Sequence, residues 1–266
     1  MRQALTFRRK VEIIAHRGAS RSAPENTLPA FRLAWKQGAD MAELDVHLSR
    51  DGQAVVIHDA TTRRTAGLDR EVSRATLAEL RALDVGRWKG AKWAGARIPT
   101  LDEVVRTVPA GKRLLIEIKC GPEIIPELRR TIEESGNHRR FILQSFSLST
   151  MKEVKRKLPG VETAWLCALK QPSASEAAAE AEALIRQAAE AGMTGLHLRA
   201  SPFINARTVK HAKAAHLKFR VWTADSAPIA RRLAALGLDG IITNRPAWLR
   251  AHFDPGFSRA KSRHKR

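Results

Sequence analysis

Glu43 and Asp45 stand two residues apart in the run Met41-Ala42-Glu43-Leu44-Asp45-Val46-His47-Leu48. Side chains alternate across a strand, so both carboxylates project from the same face. Two acids on one inward face repel each other unless a cation lies between them, and a hard divalent ion that takes carboxylate oxygens suits the pair. Asp51-Gly52 then marks a chain reversal, and the β-branched run Val55-Val56-Ile57 leads back to His58-Asp59. If the reversal is a hairpin, it returns His58 close to Glu43. Carboxylates with a titratable imidazole at their rim begin a metal-assisted phosphate or ester chemistry. The same stretch also reads as a surface hairpin with solvated acids and a hydrogen-bonded histidine.

Other reactive groups collect where strands end. His16-Arg17-Gly18 closes a first strand read over Glu12 to Ala19, and Glu117 and Lys119 share a face of a strand read over Arg113 to Lys119. Trp222 stands near the end of a late strand, Lys218 to Thr223. His47 shares parity with the two acids but sits at the turn and is read as outside the ligand set. His197 and His211 read as core or solvated residues, and Glu25 as ordering the loop before Thr27.

The elements that must position these groups alternate in type. Strands are expected at Glu12–Ala19, Met41–Leu48, Ala54–Ile57, Arg113–Lys119, Arg140–Phe146, Glu162–Cys167, Gly195–Leu198, Lys218–Thr223 and Gly240–Thr243. Helices are expected at Leu28–Gln37 with Thr27 as N-cap, Thr76–Leu83, a short one opened by the capping box Thr100–Glu103, Glu123–Ser135, Leu148–Lys157, Glu176–Ala191, Asn205–Ala215 and Pro228–Leu236. Nine strands, one of them forced antiparallel by the Asp51-Gly52 turn, predict an irregular TIM-like (β/α)8 barrel. A doubly wound open sheet is the alternative, and no Gly-rich nucleotide signature follows the first strand. Residues 61–99 are too long and irregular for an ordinary connection and read as a cap inserted after the hairpin. The expected boundaries are a basic extension over 1–10, a barrel over 11–253 and a basic, disordered tail over 254–266.

A net charge of +20 and a pI near 11.1 attract polyanions. The charge is diffuse, however, with dense runs only at Arg8-Arg9-Lys10 and from Arg259 to Arg266, and tyrosine is absent. Aromatic residues do not interleave with those runs, which argues against a base-stacking platform and against specific nucleic-acid binding. Weak contact of the basic termini with an anionic surface is the remaining reading of the charge. No apolar run approaches the roughly 20 residues of a membrane span. The N-terminus shows no secretory signal, and Cys120 and Cys167 lack metal-ligand spacing, so a cytoplasmic location is expected.

Taken together, these motifs resemble the glycerophosphodiester phosphodiesterase family, in its bacterial cytoplasmic form. The resemblance rests on His16-Arg17-Gly18, Pro24-Glu25-Asn26-Thr27, Gly38-Ala39-Asp40, Glu43-Leu44-Asp45-Val46, Ser49-Arg50-Asp51-Gly52, Val55-Val56-Ile57-His58-Asp59, Ile98-Pro99-Thr100-Leu101, Glu117-Ile118-Lys119, Gln144-Ser145-Phe146 and Val221-Trp222-Thr223. They occur in the family's order and spacing, between about Ile13 and Pro246. The resemblance implies a TIM-like barrel with a segment inserted after the His58 strand. It implies His16 and His58 as the acid/base pair, and Glu43, Asp45 and Glu117 as ligands of one divalent cation, Mg2+ or Ca2+. Arg17 and Lys119 would bind the phosphodiester, and Trp222 would line the glycerol pocket. The implied reaction converts a small glycerophosphodiester to glycerol 3-phosphate and an alcohol, through a cyclic phosphate. A lysophospholipase D-like activity and a barrel that docks on anionic polymers or membranes are the alternatives. Two departures from the family pattern are visible, Ala224-Asp225 where Val-Asn is frequent and Thr243-Asn244 where Thr-Asp is frequent. Neither is expected to touch a proposed ligand or acid/base residue.

Overall fold

The computed structural model describes residues 11–170 and 173–253, so the basic segments expected at 1–10 and 254–266 lie outside the described residues. Nine strands form: β1 (Glu12–Ala15), β2 (Met41–Leu48), β3 (Ala54–Val56), β4 (Arg113–Ile118), β5 (Phe141–Ser145), β6 (Glu162–Cys167), β7 (Gly195–Arg199), β8 (Lys218–Trp222) and β9 (Gly240–Thr243). They hydrogen-bond in the order β1-β9-β8-β7-β6-β5-β4-β2, and β1 also pairs with β2, closing eight parallel strands into a barrel. The ninth, β3, runs antiparallel to β2 outside that ring, with Val46 opposite Val56 and Leu48 opposite Ala54.

The irregularity has a simple layout. The lower part of β2 pairs with β1, with Ile14 opposite Met41 and Ala15 opposite Ala42. Its upper part pairs with β3, and the Ile57 amide continues the ladder to the Asp45 carbonyl at 3.0 Å. β1 and β3 therefore share one edge of β2 and approach each other from opposite ends. β1 is shorter than the expected Glu12–Ala19, because Arg17 and Gly18 take positive φ values of 54° and 78° and turn the chain away. Only glycine fits at position 18, since a Cβ there would meet the Ala30 carbonyl carbon at 2.7 Å.

Strand parity divides the core in two. Ile14, Met41, Leu115, Ile142 and Ile242 form a small apolar cluster, while the neighbouring residues Ile13, Ala42, Leu114, Phe141 and Ile241 belong to the large cluster shared with the helices. The first set faces the barrel interior and the second packs against the helical layer. Helix Leu28–Lys36 contributes buried Ala30, Phe31 and Ala34. Thr27 occupies the N-cap position, but its hydroxyl donates to the Pro24 carbonyl instead of capping. Capping boxes form at Thr100–Glu103 and also at Thr76–Glu79. The later helices lie at Ile125–Glu134, Leu148–Lys157, Ala174–Glu190, Ala206–Ala214 and Ala227–Ala235, within a residue or two of expectation. A further helix, Pro246–Phe253, was not expected; its Arg250 is buried and bonds to the Gly38 carbonyl and to Asp40.

Residues 61–99 hold two short helices, Arg63–Ala66 and Leu77–Arg81, with one 3-10 turn between them, Val72–Arg74, and two after them, Arg87–Lys89 and Ala91–Trp93. They are not structureless: Val72, Ala75, Leu80, Val85 and Ile98 pack with Val55 and Ile57 of the hairpin into a separate core.

The polar floor of the barrel is built around Arg220, which is 1% exposed. Its guanidinium donates to Glu12 at 3.0 and 3.1 Å and reaches His197 Nε2 at 3.3 Å, while His197 Nδ1 lies 2.7 Å from Gln144 Oε1. Burial and the Arg220 charge push the His197 pKa well down, so the ring is neutral and accepts from Arg220. Removing one member of such a network leaves a desolvated group without its partner. Arg220→Ala is therefore expected to lose about 3 kcal/mol or more of stability, read as a shift in the urea midpoint. A loss below about 1 kcal/mol would mean that water replaces the guanidinium.

Candidate active site

Adjacent strands bring the three acids together. Asp45 is opposite Glu117 in the β2–β4 ladder, and Glu43 lies one inward position below on β2. All three residues are buried, and each offers an oxygen within 4.8 Å of the other two. The cluster is frustrated as it stands. Burial and the charges of Asp45 and Glu117 push the Glu43 pKa well up. Burial and Asp45 do the same to Glu117, to about 7. Asp45 Oδ1 is buried without a hydrogen-bond partner. Three hard oxygen donors, one of them orphaned, fit a divalent cation of the Mg2+ or Ca2+ type and not a soft metal.

The loop after β1 braces this cluster. The Arg17 amide donates to Glu43 Oε2 at 2.8 Å, and Gly18 N reaches the Glu43 carbonyl at 3.3 Å. Asn26 donates to Asp45 Oδ2 at 2.8 Å, which gives the Pro24-Glu25-Asn26-Thr27 motif a concrete task. The Arg17 side chain lies between Glu25, at 2.9 Å, and Asp45, at 3.3 Å. Glu25 also takes two bonds from Arg64 of the 61–99 segment; burial opposes its charge, yet Arg64 and Arg17 hold its pKa at about 2. Glu25 thus does more than order a loop, since it ties that segment to the barrel mouth.

The two histidines flank the acids. His16 follows β1 and His58 follows β3, so the shared edge of β2 carries both into one cleft of about 340 Å³. His16, Arg17, Glu43, His58, Glu117, Lys119, Gln144, Phe146 and Trp222 line it, together with Leu166 and Ile242. Every site residue read from the sequence is there except Asp45, which sits immediately behind. Their surroundings differ. His16 Nδ1 lies 2.8 Å from Asn244 Oδ1, and burial together with the neighbouring Arg17 charge lowers its pKa. His58 Nδ1 lies 2.6 Å from Asp59 Oδ1. Burial works against the Asp59 carboxylate, but bonds from Arg64 and His58 hold its pKa at about 2. Lys119 Nζ bridges the halves, 2.8 Å from Glu117 and 3.1 Å from His58 Nε2. Trp222 meets Phe146 edge-on at 5.5 Å and forms an aromatic wall.

The family model for the glycerophosphoryl diester phosphodiesterase family matches residues 16–248. The chain belongs to this family. It is 37% identical over 250 residues to a glycerophosphodiester phosphodiesterase of Caldanaerobacter subterraneus, covering 90% of this chain and 96% of that protein. Among solved structures it is similar to an Oleispira antarctica phosphodiesterase in complex with the product sn-glycerol-3-phosphate, with a TM-score of 0.81, 29% identity and coverage of 91% and 96%. It is likewise similar to a glycerophosphodiester phosphodiesterase of Agrobacterium tumefaciens, with a TM-score of 0.78, 27% identity and coverage of 91% and 100%.

Within this glycerophosphodiester phosphodiesterase frame, several side chains bear on the site that the sequence reading did not assign to it. Asp59 was visible only as the neighbour of His58, and Gln144 and Phe146 only as parts of a motif. Asn244 is a correction: it was expected to touch no acid/base residue, yet it contacts His16, with Asp225 behind it. Its position after β9, next to β1 where the barrel closes, is what brings it there. His47 stays outside the acid cluster, with Nε2 3.2 Å from the His58 carbonyl. His211 pairs with Glu182 at 3.5 Å.

The raised pKa values of Glu43 and Glu117 set the sign of a pH dependence. Between the ordinary carboxyl value of 4.5 and about 7, the ion-free fold holds protons that the unfolded chain has released. In EDTA the cluster therefore contributes stability that falls as pH rises through that window, while the lowered pKa values of His16, His47 and His197 contribute in the opposite sense, so the gain from saturating Mg2+ or Ca2+ is expected to grow with pH. Urea midpoints at pH 5 and pH 8, with chelator and with ion, measure it; an ion-minus-chelator difference that is the same at both pH values would contradict the frustrated cluster.

Proposed function

We propose that the protein hydrolyses small glycerophosphodiesters to glycerol 3-phosphate and an alcohol, with His16 and His58 as the acid/base pair. The observation that carries this reading is the pair of imidazoles on one edge of β2, lining the cleft that also holds the acid cluster and Lys119. The product named in the Oleispira antarctica complex, sn-glycerol-3-phosphate, agrees with it.

A phosphodiester is anionic and resists attack, so the site must first neutralise its non-bridging oxygens. Glu43, Asp45 and Glu117 would hold a divalent cation, which when bound supplies charge neutralisation at the phosphoryl oxygens. Arg17 and Lys119 add fixed positive charge to the same region. Both are paired to the acid cluster, Arg17 to Asp45 and Lys119 to Glu117, which keeps each cation oriented toward the place of the phosphate. One imidazole removes the proton of the glycerol 2-hydroxyl as its oxygen bonds to phosphorus, and the other protonates the departing alcohol oxygen. A five-membered cyclic phosphate results. In the second step water adds to phosphorus, the imidazoles exchange roles, and the ring opens to glycerol 3-phosphate. Trp222 and Phe146 provide an apolar wall for the glycerol carbons.

Residues 61–99 act as a cap in this reading, anchored by Arg64 to Glu25 and Asp59. No helix among the described residues is long and apolar enough to cross a membrane. Cys120 is half-buried and Cys167 buried, and both are unpaired, which suits a reducing cytoplasm. We assign no specific nucleic-acid partner, and the basic termini are left with weak contact to anionic surfaces. A second reading, hydrolysis of lysophospholipids, gains from Leu68 and Trp88, which are 56% and 44% exposed on the cap segment. That segment therefore offers nonpolar surface that its sequence did not suggest.

The experiment is release of glycerol 3-phosphate from glycerophosphocholine and glycerophosphoethanolamine, with Mg2+, Ca2+ or EDTA. His16→Ala and His58→Ala are each expected to lower turnover by about 100-fold or more, and EDTA to abolish it. No release with either ion, alongside choline release from lysophosphatidylcholine, would replace the first reading by the second.

A further inference from the structure

Behind His16 lies a chain of polar groups that the reaction as written does not use. Asn244 Oδ1 is 2.8 Å from His16 Nδ1 and also accepts from Ser20 Oγ at 2.7 Å. Asn244 Nδ2 donates to Asp225 Oδ2 at 2.5 Å. Asp225 is itself fixed, because its Oδ1 accepts from Thr243 Oγ1 at 2.7 Å and from the Asn244 amide at 2.8 Å. An amide side chain can present either its oxygen or its nitrogen, and the neighbours decide which. An ionised carboxylate only accepts, so Asp225 holds the NH2 end and turns the oxygen toward His16. An amide oxygen only accepts, so the proton of neutral His16 must reside on Nδ1.

We propose that Asp225 and Asn244 are positioning residues that lock His16 as its Nδ1–H tautomer, leaving the Nε2 lone pair to act as the general base of the first step. The inference rests on the phosphodiesterase reading for its catalytic consequence, but the tautomer itself does not.

The opposite imidazole is backed differently. His58 Nδ1 faces Asp59, a carboxylate kept ionised by Arg64. A charged acceptor can partner an imidazolium, whereas an amide oxygen supplies only a dipole. Burial and Arg17 further disfavour a charge on His16, against the opposing pull of the Asn244 bond, Asp45 and Glu25. Glu43, Glu117, Lys119 and His58 share its cleft, and Arg245 bonds to the Asp225 carbonyl from behind. The proton balance follows. In the first step Nε2 of His16 takes the proton of the 2-hydroxyl while His58, protonated at Nε2 once the Lys119 ammonium that now faces that atom at 3.1 Å has turned to the phosphate, gives one to the alcohol oxygen. In the second, neutral His58 takes a proton from water and His16 returns its own to the 2-oxygen, so both rings end as they began.

The test combines a spectrum with kinetics. In the 15N-labelled wild type above the titration of His16, its resonances, assigned by loss in His16→Ala, should show a protonated Nδ1 and a bare Nε2. Asp225→Asn removes the obligate acceptor, so both tautomers should appear and kcat should fall by about tenfold or more with KM within about threefold; loss of a tautomer lock can cost up to about 10⁴-fold. The exchanged pair Asp225→Asn/Asn244→Asp restores a one-way chain, with a carboxylate now on Nδ1. It should recover most of the lost kcat and move the acidic limb of the kcat/KM profile upward by about one pH unit. A wild-type His16 with its proton on Nε2 would overturn the proposal, and so would an Asp225→Asn variant with unchanged kcat. If wild-type His16 shows the Nδ1–H tautomer but no diester is hydrolysed, the lock stands and the phosphodiesterase reading fails.

Discussion

Three buried carboxylates within reach of one ion are the constraint to which the rest of the barrel mouth answers. Like charges at such range inside a protein cannot all be ionised without a cation, and the fold supplies only partial relief through Arg17 and Lys119. The backbone amide of Arg17 and the side chain of Asn26 take up two of the carboxylate oxygens, while Asp45 Oδ1 is left without a hydrogen bond. That residual demand for positive charge is the property by which the cleft would receive an ion.

The antiparallel β3 is the device that makes a two-histidine site out of a parallel barrel. In a regular barrel every strand delivers its end to the same rim from below. Here β1 rises along the lower edge of β2 and stops at a left-handed turn, and β3 descends along the upper edge. The chain after each one reaches the level of Glu43 from opposite directions. Residues 61–99 then brace the descending arm, through a shared apolar core with Val55 and Ile57 and through the Arg64 bonds to Asp59 and Glu25. The 61–99 segment and the chain that carries His58 are mechanically joined, so that segment helps to hold one wall of the cleft.

The two imidazoles are also made unequal. One is backed by an amide whose orientation a carboxylate fixes, the other by a carboxylate that an arginine keeps ionised. Acid and base roles are commonly separated by environments of this kind, and the residues that back the two rings here come from three stretches of chain, Asp59 to Arg64, Asp225 and Asn244.

Much of this was legible in the sequence. Strand parity placed Glu43 with Asp45 and Glu117 with Lys119, the Asp51-Gly52 turn forced the antiparallel strand, and alternation of strand and helix implied the barrel. These follow from local rules, since side-chain direction and turn chemistry depend on a few neighbouring residues. The segment 61–99 is less legible, because short helices and single turns carry little periodicity, and the helix at Pro246–Phe253 lies beyond the elements that the sequence pattern marks. What only the tertiary structure decided is which loops meet: Asn244 on His16, Asp225 behind Asn244, Arg64 across to Glu25, and Gln144 against His197. The first of these spans 228 positions of sequence and depends on barrel closure between β9 and β1. No local pattern encodes a contact of that kind, and so the sequence determined the reactive groups while closure of the barrel decided which neighbours tune them.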